Sequence, residues 1–248
     1  MPFVLEYHDV IGSTNDRAKE LAASGIQNIC VAANGQTAGR GRKGRSFFSP
    51  SGSGLYLSAV LPPEDATLLT VRAAVCVAET IEEAIGERTE IKWVNDVLLH
   101  GKKIGGILAE GAFGPDGKPA YAVVGIGINV FRTAFPPELR DVAGDLESLT
   151  GLRPDKKALL DRLLAGLDDR TRTPEAVLAC YRERSMVIGK TVTVLRGTEC
   201  FRAQALSVDE SGGLWVDRSG ERILLSSGEV SVRPENRTAE QERGGKDL

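Results

Sequence analysis

The chain has few of the residues that build common catalytic and metal centres. It contains only two histidines, His8 and His100, and neither lies near another histidine or a cysteine in the sequence. A zinc site needs clustered ligands at short spacing, and a Ser-His-Asp triad needs a histidine beside its nucleophile. The sequence therefore argues against both kinds of site.

The sequence also has few cysteines, no recognisable export signal and no long apolar run. The four cysteines show no Cys-x-x-Cys spacing, and the first residues have no basic region followed by an apolar core. No apolar run approaches the roughly 18 residues that span a bilayer. We therefore expect a cytoplasmic protein without membrane contact, with reduced and buried cysteines. The four cysteines are Cys30, Cys76, Cys180 and Cys200.

The charge balance is slightly acidic, with a net charge of −3 over 248 residues. Such a balance argues against nucleic-acid or anionic-membrane binding through net charge. The length is that of one main domain, alone or with a smaller second one. Glycine is frequent, with 28 residues, but it follows no collagen-like period. We therefore expect the glycines to serve local backbone geometry.

Hydrophobic periodicity divides the chain into a mixed α/β part and a small all-β part. Residues 3–8 and 29–33 resemble strands, and 67–85 has the apolar spacing of a helix that faces the core. After Gly189, short apolar segments alternate with turn residues, which predicts a small β-barrel. The tail from Pro234 is polar, and we expect it to be disordered.

The most specific motif is a glycine- and arginine-rich loop, Gly39-Arg40-Gly41-Arg42-Lys43-Gly44-Arg45, which follows Gln36-Thr37. Glycine lets backbone N–H groups approach an anion, and the guanidinium fork binds phosphate or carboxylate through two hydrogen bonds. No acidic residue lies between positions 34 and 61. The motif favours a loop that closes over a phosphorylated or polyanionic ligand. A solvated basic loop and an RNA-binding tract are the alternatives.

Three further motifs contain residues typical of nucleotide sites. Lys92-Trp93-Val94-Asn95-Asp96 presents an aromatic wall, an amide and a carboxylate at the end of a strand. The stretches Lys103 to Glu110 and Gly125 to Asn129 are strands whose glycines leave space for a ligand. Taken singly, each motif also fits an ordinary hairpin or turn. Their order and joint occurrence carry more information than any one of them.

Together with Ser13-Thr14-Asn15, these motifs resemble the biotin protein ligases, also called biotin–[acetyl-CoA-carboxylase] ligases, over about residues 3–233. The resemblance implies that ATP and biotin first give biotinyl-5′-AMP and pyrophosphate. A lysine of the biotin carboxyl carrier protein of acetyl-CoA carboxylase, or of a similar carboxylase, then attacks this intermediate. The implied fold is an α/β mixed sheet of the class II synthetase type at 1–186, an SH3-like β-barrel at 187–234 and a polar tail at 235–248.

The resemblance also implies roles for individual residues. Catalysis is expected from Lys103, Arg42 and Arg40, and Mg²⁺ is expected at Asp96. Biotin is expected to contact Ser13, Thr14, Asn15, Gln36, Arg40, Gly41, Arg42, Lys103 and Gly106. ATP and the adenylate are expected to contact Arg42, Arg45, Phe47, Lys92, Trp93, Asn95, Asp96 and Asn129.

Two residues depart from the family pattern. Val94 stands where the family usually has proline, and Phe47 stands where tryptophan is frequent. Both changes bear on ligand affinity and leave the charged candidates in place. The Ser-Thr-Asn block begins at Ser13, so we expect a ligase without the DNA-binding domain of some bacterial members and without a nucleic-acid partner. A monomer or a homodimer is expected.

Three alternatives stay open at this point. The first is a lipoate-type ligase on the same scaffold, although such relatives lack the glycine- and arginine-rich loop. The second is a biotin-binding protein that has lost catalysis, and the third is a non-catalytic RNA-binding protein. Few aromatic residues interleave with the basic loop, which disfavours the RNA-binding alternative.

Overall fold

A computed structural model describes residues 3–62, 68–113, 119–169, 171–226 and 229–231. The chain divides into two compact units, Met1–Met186 with Glu210–Gly212, and Val187–Asp209 with Gly213–Leu248. The polar tail expected at 235–248 lies outside the described residues.

The first unit is built on a seven-stranded mixed sheet with helices packed against it. Its strands are β1 (Val4–Ile11), β2 (Ile29–Gln36), β3 (Gly54–Leu61), β4 (Glu90–Lys92), β5 (Asp96–Leu99), β6 (Lys102–Phe113) and β7 (Pro119–Asn129). Its helices are α1 (Thr14–Ala23), α2 (Leu69–Ile85), α3 (Leu146–Thr150), α4 (Lys156–Asp168) and α5 (Pro174–Arg184).

The strand order is β1-β2-β3-β7-β6-β5-β4, in which β1 and β2 are parallel and the other pairs are antiparallel. All eight residues of β3 are buried, as expected for a central strand covered on both faces. Helix α1 packs on β2, β3 and β7, and α2 packs on β4 to β7. The core therefore lies on both sides of β3 and β7.

The second unit contains a separate antiparallel sheet of short strands. These are β8 (Thr191–Arg196), β9 (Glu199–Val208), β10 (Leu214–Arg218), β11 (Glu221–Leu225) and β12 (Glu229–Ser231), in the order β11-β10-β9-β8-β12. Buried and exposed side chains alternate along β9, which is the pattern of a strand with one face toward a core. The predicted fold class, a mixed α/β sheet with a small separate β unit, is confirmed.

Local sequence signals place several element boundaries correctly. The Ser13 hydroxyl caps α1 by accepting from the Asp16 N–H at 3.3 Å. His100 and Gly101, with φ of 49° and 74°, form the turn between β5 and β6, as a two-residue hairpin requires. The expected strands at 3–8 and 29–33 are too short, because β1 and β2 continue to Ile11 and Gln36.

The cysteine prediction is only partly right. Cys30 and Cys76 are buried, and burial raises the pKa of both thiols to about 12. Cys180 is only half-buried and Cys200 is exposed, so the expectation that all four are buried was wrong. All four are free thiols. Cys200 lies on the strand β9, whose outward positions face solvent.

An ion pair of low exposure joins α2 to α5. The Arg184 guanidinium donates to both Glu82 oxygens at 2.7 and 3.1 Å, and the Thr89 N–H and hydroxyl donate to Glu82 Oε1 at 3.0 Å. Partial burial alone would raise the pKa of Glu82, but the hydrogen bonds from Arg184 and Thr89 outweigh it and keep this pKa below its ordinary value.

Arg184→Met should lower the free energy of unfolding by about 3 kcal/mol, because it leaves a partly buried carboxylate without its cation. The exposed pair of Arg162 and Glu83 provides the control, since Arg162→Met should cost less than about 1 kcal/mol. The pKa of Glu82 in the folded protein is below its ordinary value of 4.5. The stability that the pairing with Arg184 provides is therefore complete above pH 4.5 and is lost as the pH falls below that value. Urea unfolding at pH 7 and pH 4 measures both effects, and equal losses in the two variants at pH 7 would contradict the assignment.

Among the described residues, none of the helices is both long enough and apolar enough to cross a bilayer.

Candidate active site

A buried polar cluster lies where α1 begins. Gln36 at the end of β2 accepts, through Oε1, hydrogen bonds from the Thr14 N–H at 2.8 Å and the Thr14 hydroxyl at 3.1 Å. The Ser58 hydroxyl, on the central strand β3, lies 2.8 Å from Thr14 Oγ1 and 3.1 Å from Asn15 Oδ1. Ser13, Thr14, Asn15 and Ser58 are all buried. These hydroxyl and amide groups hydrogen-bond with one another, as buried polar groups require.

Neighbouring strands fix the orientation of Asn15. Its Nδ2 donates to Glu110 Oε2 on β6, and its Oδ1 accepts from Ser58. A side chain at Gly125 on β7 would collide with Asn15 Oδ1. Gly125 therefore provides the space that the Asn15 amide occupies, which is the close approach that the glycines of this strand predicted.

Charged residues connect this cluster to the glycine- and arginine-rich loop. Lys19 lies 3.2 Å from both Glu110 and Asp16, and Asp16 accepts from Arg40 Nε at 2.8 Å. A second connection runs through Gln36, whose Nε2 donates to Ser49 Oγ at 3.0 Å. Ser49 in turn donates to the Phe47 carbonyl at 2.8 Å. Both ends of the loop are thus tied to the elements that form the polar cluster.

The loop closes on itself through its backbone. The Gly41 N–H donates to the Arg45 carbonyl at 2.7 Å, and the Phe47 N–H donates to the Gly39 carbonyl at 2.8 Å. Lys43 and Gly44 have φ of 56° and 74°, in the left-handed region that favours glycine at such turns. The chain therefore reverses within the loop, between its first and last arginines.

Two cations of the site are held by adjacent residues. Arg42 Nη1 donates to Asn95 Oδ1 at 3.0 Å, and Asn95 Nδ2 donates to the Ile107 carbonyl at 3.0 Å. Lys103 Nζ lies 2.6 Å from Asp96 Oδ1, and these two side chains are 34% and 25% exposed. Arg42 and Lys103 therefore converge on the Asn95-Asp96 turn, where solvent still reaches the charged pair.

Phe47 lies against two paired glycines of the sheet. Gly106 on β6 pairs with Gly127 on β7. A Cβ atom at Gly127 would come within 2.5 Å of the Phe47 ring, and one at Gly106 would come within 3.2 Å of both Phe47 and Lys103. Lys103 Nζ lies 5.8 Å from the centre of the Phe47 ring, which makes a cation–π contact. The absence of side chains at these glycines lets Phe47 and Lys103 share one face of the sheet.

Other predicted site residues are placed differently. Trp93 is 3% exposed and its indole N–H donates to the Gly212 carbonyl at 2.9 Å, so it presents no open aromatic wall. Asn129 is buried, and its Nδ2 donates to the Gly144 carbonyl at 2.9 Å. Lys92 is the backbone neighbour of Asp96 across β4 and β5, and the Arg45 carbonyl accepts the hydrogen bond from the Gly41 N–H. The peptide bond between Trp93 and Val94 is cis.

The sequence reasoning missed three residues of the site, namely Ser49, Ser58 and Glu110. A serine in the middle of an otherwise apolar strand was the available signal for Ser58, because a buried hydroxyl needs a partner. Glu110 closes the motif that begins at Lys103, yet nothing local indicates that it meets Asn15 and Lys19, which are 95 and 91 positions away. Ser49 lies in a loop without periodicity, and nothing local in the sequence indicates its contact with Gln36.

Comparison with known proteins identifies the family. Residues 7–129 match the model of the biotin/lipoate A/B protein ligase family, and residues 187–233 match the biotin protein ligase C-terminal domain. The bifunctional ligase/repressor BirA of Bacillus subtilis is 36% identical over 242 residues, which cover 92% of this chain and 74% of the relative. This chain belongs to the biotin protein ligase family.

Other members of the biotin protein ligase family agree in sequence and in fold. The biotin–[acetyl-CoA-carboxylase] ligase of Mycobacterium tuberculosis is 35% identical, over 88% of this chain and 85% of that protein. The solved structure of the biotin protein ligase from Aquifex aeolicus in complex with biotin and ATP aligns with a TM-score of 0.75 and 28% identity. The alignment covers 92% of this chain and 98% of the Aquifex aeolicus chain. The predicted family, fold class and ligase activity are confirmed.

The expected Mg²⁺ ligand does not fit a site built by the protein alone. The Asp96 carboxylate is paired with Lys103. Within the described ranges, no three His, Cys, Asp or Glu side chains come together as a metal site would require. Mg²⁺ usually takes one or two carboxylates together with substrate phosphates. We therefore assign Asp96 to the ion pair with Lys103.

Proposed function

We propose that this biotin protein ligase attaches biotin to a lysine of a biotin carboxyl carrier protein through biotinyl-5′-AMP. The observation that carries the proposal is the arrangement along one face of β7. Gly125 leaves room for Asn15 of the buried polar cluster, and Gly127 leaves room for Phe47, which contacts Lys103. Residues two apart on a strand share a face. A ligand with a polar head and a carboxylate at its other end matches this order, and biotin is such a ligand.

In the first step, a biotin carboxylate oxygen attacks the α-phosphorus of ATP and pyrophosphate leaves. We assign the ureido head to the polar cluster of Thr14, Asn15 and Gln36, and the carboxylate end to Lys103. Negative charge builds on the α-phosphate as the bond forms, and a fixed ammonium group beside it stabilises that charge. Arg42 and Arg40 cover the phosphate, since one guanidinium group can bind two phosphate oxygens through two parallel hydrogen bonds. No side chain has to act as a nucleophile, because the substrate supplies its own.

In the second step, the amine of the carrier lysine attacks the carbonyl of the mixed anhydride, and AMP leaves. An acyl-adenylate reacts with water, so the site must exclude water between the steps. The loop from Gly39 to Phe47 is the segment placed to do so, because it lies beside Asn95 and β6 and carries Arg42. We further assign residues 1–186 to the catalytic domain and 187–234 to the C-terminal domain. Mg²⁺ is expected to arrive with ATP.

The direct test combines the protein with ATP, Mg²⁺, labelled biotin and a carboxyl-carrier domain. We expect label on one carrier lysine and none on a carrier whose target lysine is replaced by arginine. Unlabelled lipoate in excess should not compete, whereas unlabelled biotin should. Pyrophosphate release without transfer would contradict the second step. Labelling that lipoate suppresses would favour the lipoate-type alternative.

Ser58→Ala should raise the KM for biotin about tenfold and change kcat by less than about threefold. The variant leaves Thr14 Oγ1 and Asn15 Oδ1 without the hydroxyl that faces them. The loss falls on ground-state binding, because the polar cluster contacts the head group and not the reacting atoms. Steady-state kinetics measure the split. Ser24→Ala is the control, since Ser24 is exposed at the other end of α1. A fall in kcat with unchanged KM would contradict this assignment.

A further inference from the structure

Helix α5 carries a fully buried tyrosine, Tyr181, in contact with the turn that joins β4 to β5. The residue is 0% exposed, and its hydroxyl donates to the Val94 carbonyl at 3.0 Å. A buried hydroxyl needs a partner, whereas the ring of a phenylalanine at the same position would need none. The hydroxyl of Tyr181 is therefore matched to one particular carbonyl, and that carbonyl lies in the turn.

The turn that receives this hydrogen bond also holds two cations of the active site. Asn95 follows Val94 and accepts from Arg42 at 3.0 Å. Asp96 comes next and lies 2.6 Å from the Lys103 ammonium group. Because these residues are consecutive and each peptide unit is rigid, a shift of the Val94 carbonyl also moves its neighbours. The positions of both cations therefore depend on where this carbonyl is held.

The charged groups of the turn also act on the Tyr181 hydroxyl. Burial raises the pKa of Tyr181 above its ordinary value of 10, the Asp96 carboxylate raises this pKa further, and the Arg42 guanidinium lowers it. Both charged groups thus lie close enough to influence the hydroxyl. Since the pKa is raised, the hydroxyl stays protonated at neutral pH and can donate to the carbonyl.

Helix α5 is fixed to the strand that precedes the turn. Ser185 follows the helix and forms a β-bridge with Ile91 of β4. The Met186 N–H donates to the Ile91 carbonyl at 3.0 Å. The ion pair described above ties the same end of the helix to α2. The hydroxyl is therefore presented by a firmly held helix, and groups on such elements are placed more precisely than groups on loops.

We propose that Tyr181 is a positioning residue for the adenylation step, whose hydroxyl fixes the Val94 carbonyl and thereby the turn that holds Arg42 and Lys103. Because Tyr181 is fully buried, it acts through the turn and takes no part in the chemistry itself. The inference rests on the role proposed for Lys103. It concerns the placement of the cations, and the polar cluster at the start of α1 is separate from it.

Tyr181→Phe tests the proposal, since it removes the hydroxyl and keeps the ring. We expect kcat for biotin-dependent ATP–pyrophosphate exchange to fall about tenfold, because small displacements of charge-stabilising groups are costly. The KM for biotin should change by less than about twofold, since Thr14, Asn15 and Gln36 are untouched. An unchanged kcat, or a loss that falls on the KM for biotin instead, would overturn the proposal.

Two control variants separate positioning from a general loss of stability. Val177→Ala removes packing from the same helix, where Val177 is 3% exposed, and keeps the Tyr181 hydroxyl. It should lower the melting temperature at least as much as Tyr181→Phe, while kcat stays within about twofold of the wild type. Tyr121→Phe removes a hydroxyl from a half-buried tyrosine of β7 and should leave kcat unchanged. Equal losses of kcat in Val177→Ala and Tyr181→Phe would refute positioning by the hydroxyl.

A double-mutant cycle with Lys103→Met shows whether Tyr181 acts through the turn. Residues that act as a unit give non-additive losses. In the Lys103→Met background, Tyr181→Phe should therefore lower the exchange rate by less than about threefold, against about tenfold in the wild type. Equal losses in the two backgrounds would rule out the positioning role and leave that of Lys103 intact. Wild-type exchange in Lys103→Met alone would instead remove the role on which the inference rests.

Discussion

Lys103→Met should lower the rate of biotin-dependent ATP–pyrophosphate exchange by ~10²–10³-fold, the loss typical when one preorganised charge-stabilising donor is removed. The Lys103 ammonium group lies beside Phe47 and the Gly106–Gly127 pair, where the substrate carboxylate is expected. The loss should appear in kcat, because the stabilised charge develops during bond formation. The fold should survive, since the side chain is 34% exposed.

Two further variants make the result specific. Lys157→Met removes an exposed lysine of α4 that pairs with Asp161 within its helix, and exchange should be unaffected. Lys103→Arg keeps the charge but spreads it over a planar fork, so it should recover part of the rate. An exchange rate in Lys103→Met within threefold of the wild type would rule out the assigned role.

Arg42→Gly should raise the rate at which biotinyl-5′-AMP dissociates by ~10–100-fold, since a charge-assisted hydrogen bond is worth about 1.5–3 kcal/mol. Arg42 donates to Asn95 Oδ1 at 3.0 Å, so its guanidinium is held beside the turn where the nucleotide is expected. Released adenylate would then acylate amines other than the carrier lysine. Single-turnover release of labelled adenylate, and labelling of a bystander protein, measure the two consequences.

Lys43→Gly is the matched control for Arg42→Gly. It removes the same charge from the same loop, at a position whose φ of 56° glycine adopts easily. We expect adenylate release to change far less than in Arg42→Gly. Equal release from the two variants would mean that loop charge in general, and not the Arg42 contact, retains the intermediate.

Local rules were enough to predict much of the fold. The apolar spacing of 67–85 corresponds to α2 (Leu69–Ile85), and Thr173 followed by Pro174, a capping sequence, stands at the start of α5. Both depend on neighbours in sequence, namely helical periodicity and capping. The strand ends at Ile11 and Gln36 were missed, because pairing between β1 and β2 extends them through polar and glycine-containing sequence.

The site was predicted less completely, since its contacts join distant parts of the chain. The sequence suggested that Trp93 forms a ligand wall, but it cannot show which way a ring turns, and the ring is buried. Ser58 joins Thr14 and Asn15 from 44 and 43 positions away. No periodicity reports such a meeting, because it depends on the order β1-β2-β3-β7 in space. The charged residues Arg42 and Lys103 stand out in the motifs themselves, and the structure brings both to the Asn95-Asp96 turn.

The pairing of Lys103 with Asp96 has a consequence for ligand selection. At 2.6 Å the Asp96 carboxylate offsets the charge of the Lys103 ammonium group, so the pair itself carries little net charge. A neutral molecule of the same shape, such as a biotin amide, offers Lys103 nothing better than Asp96. Only a ligand that brings its own negative charge can take the ammonium group from its partner. We therefore expect the pair to favour acids over their neutral analogues at the binding step.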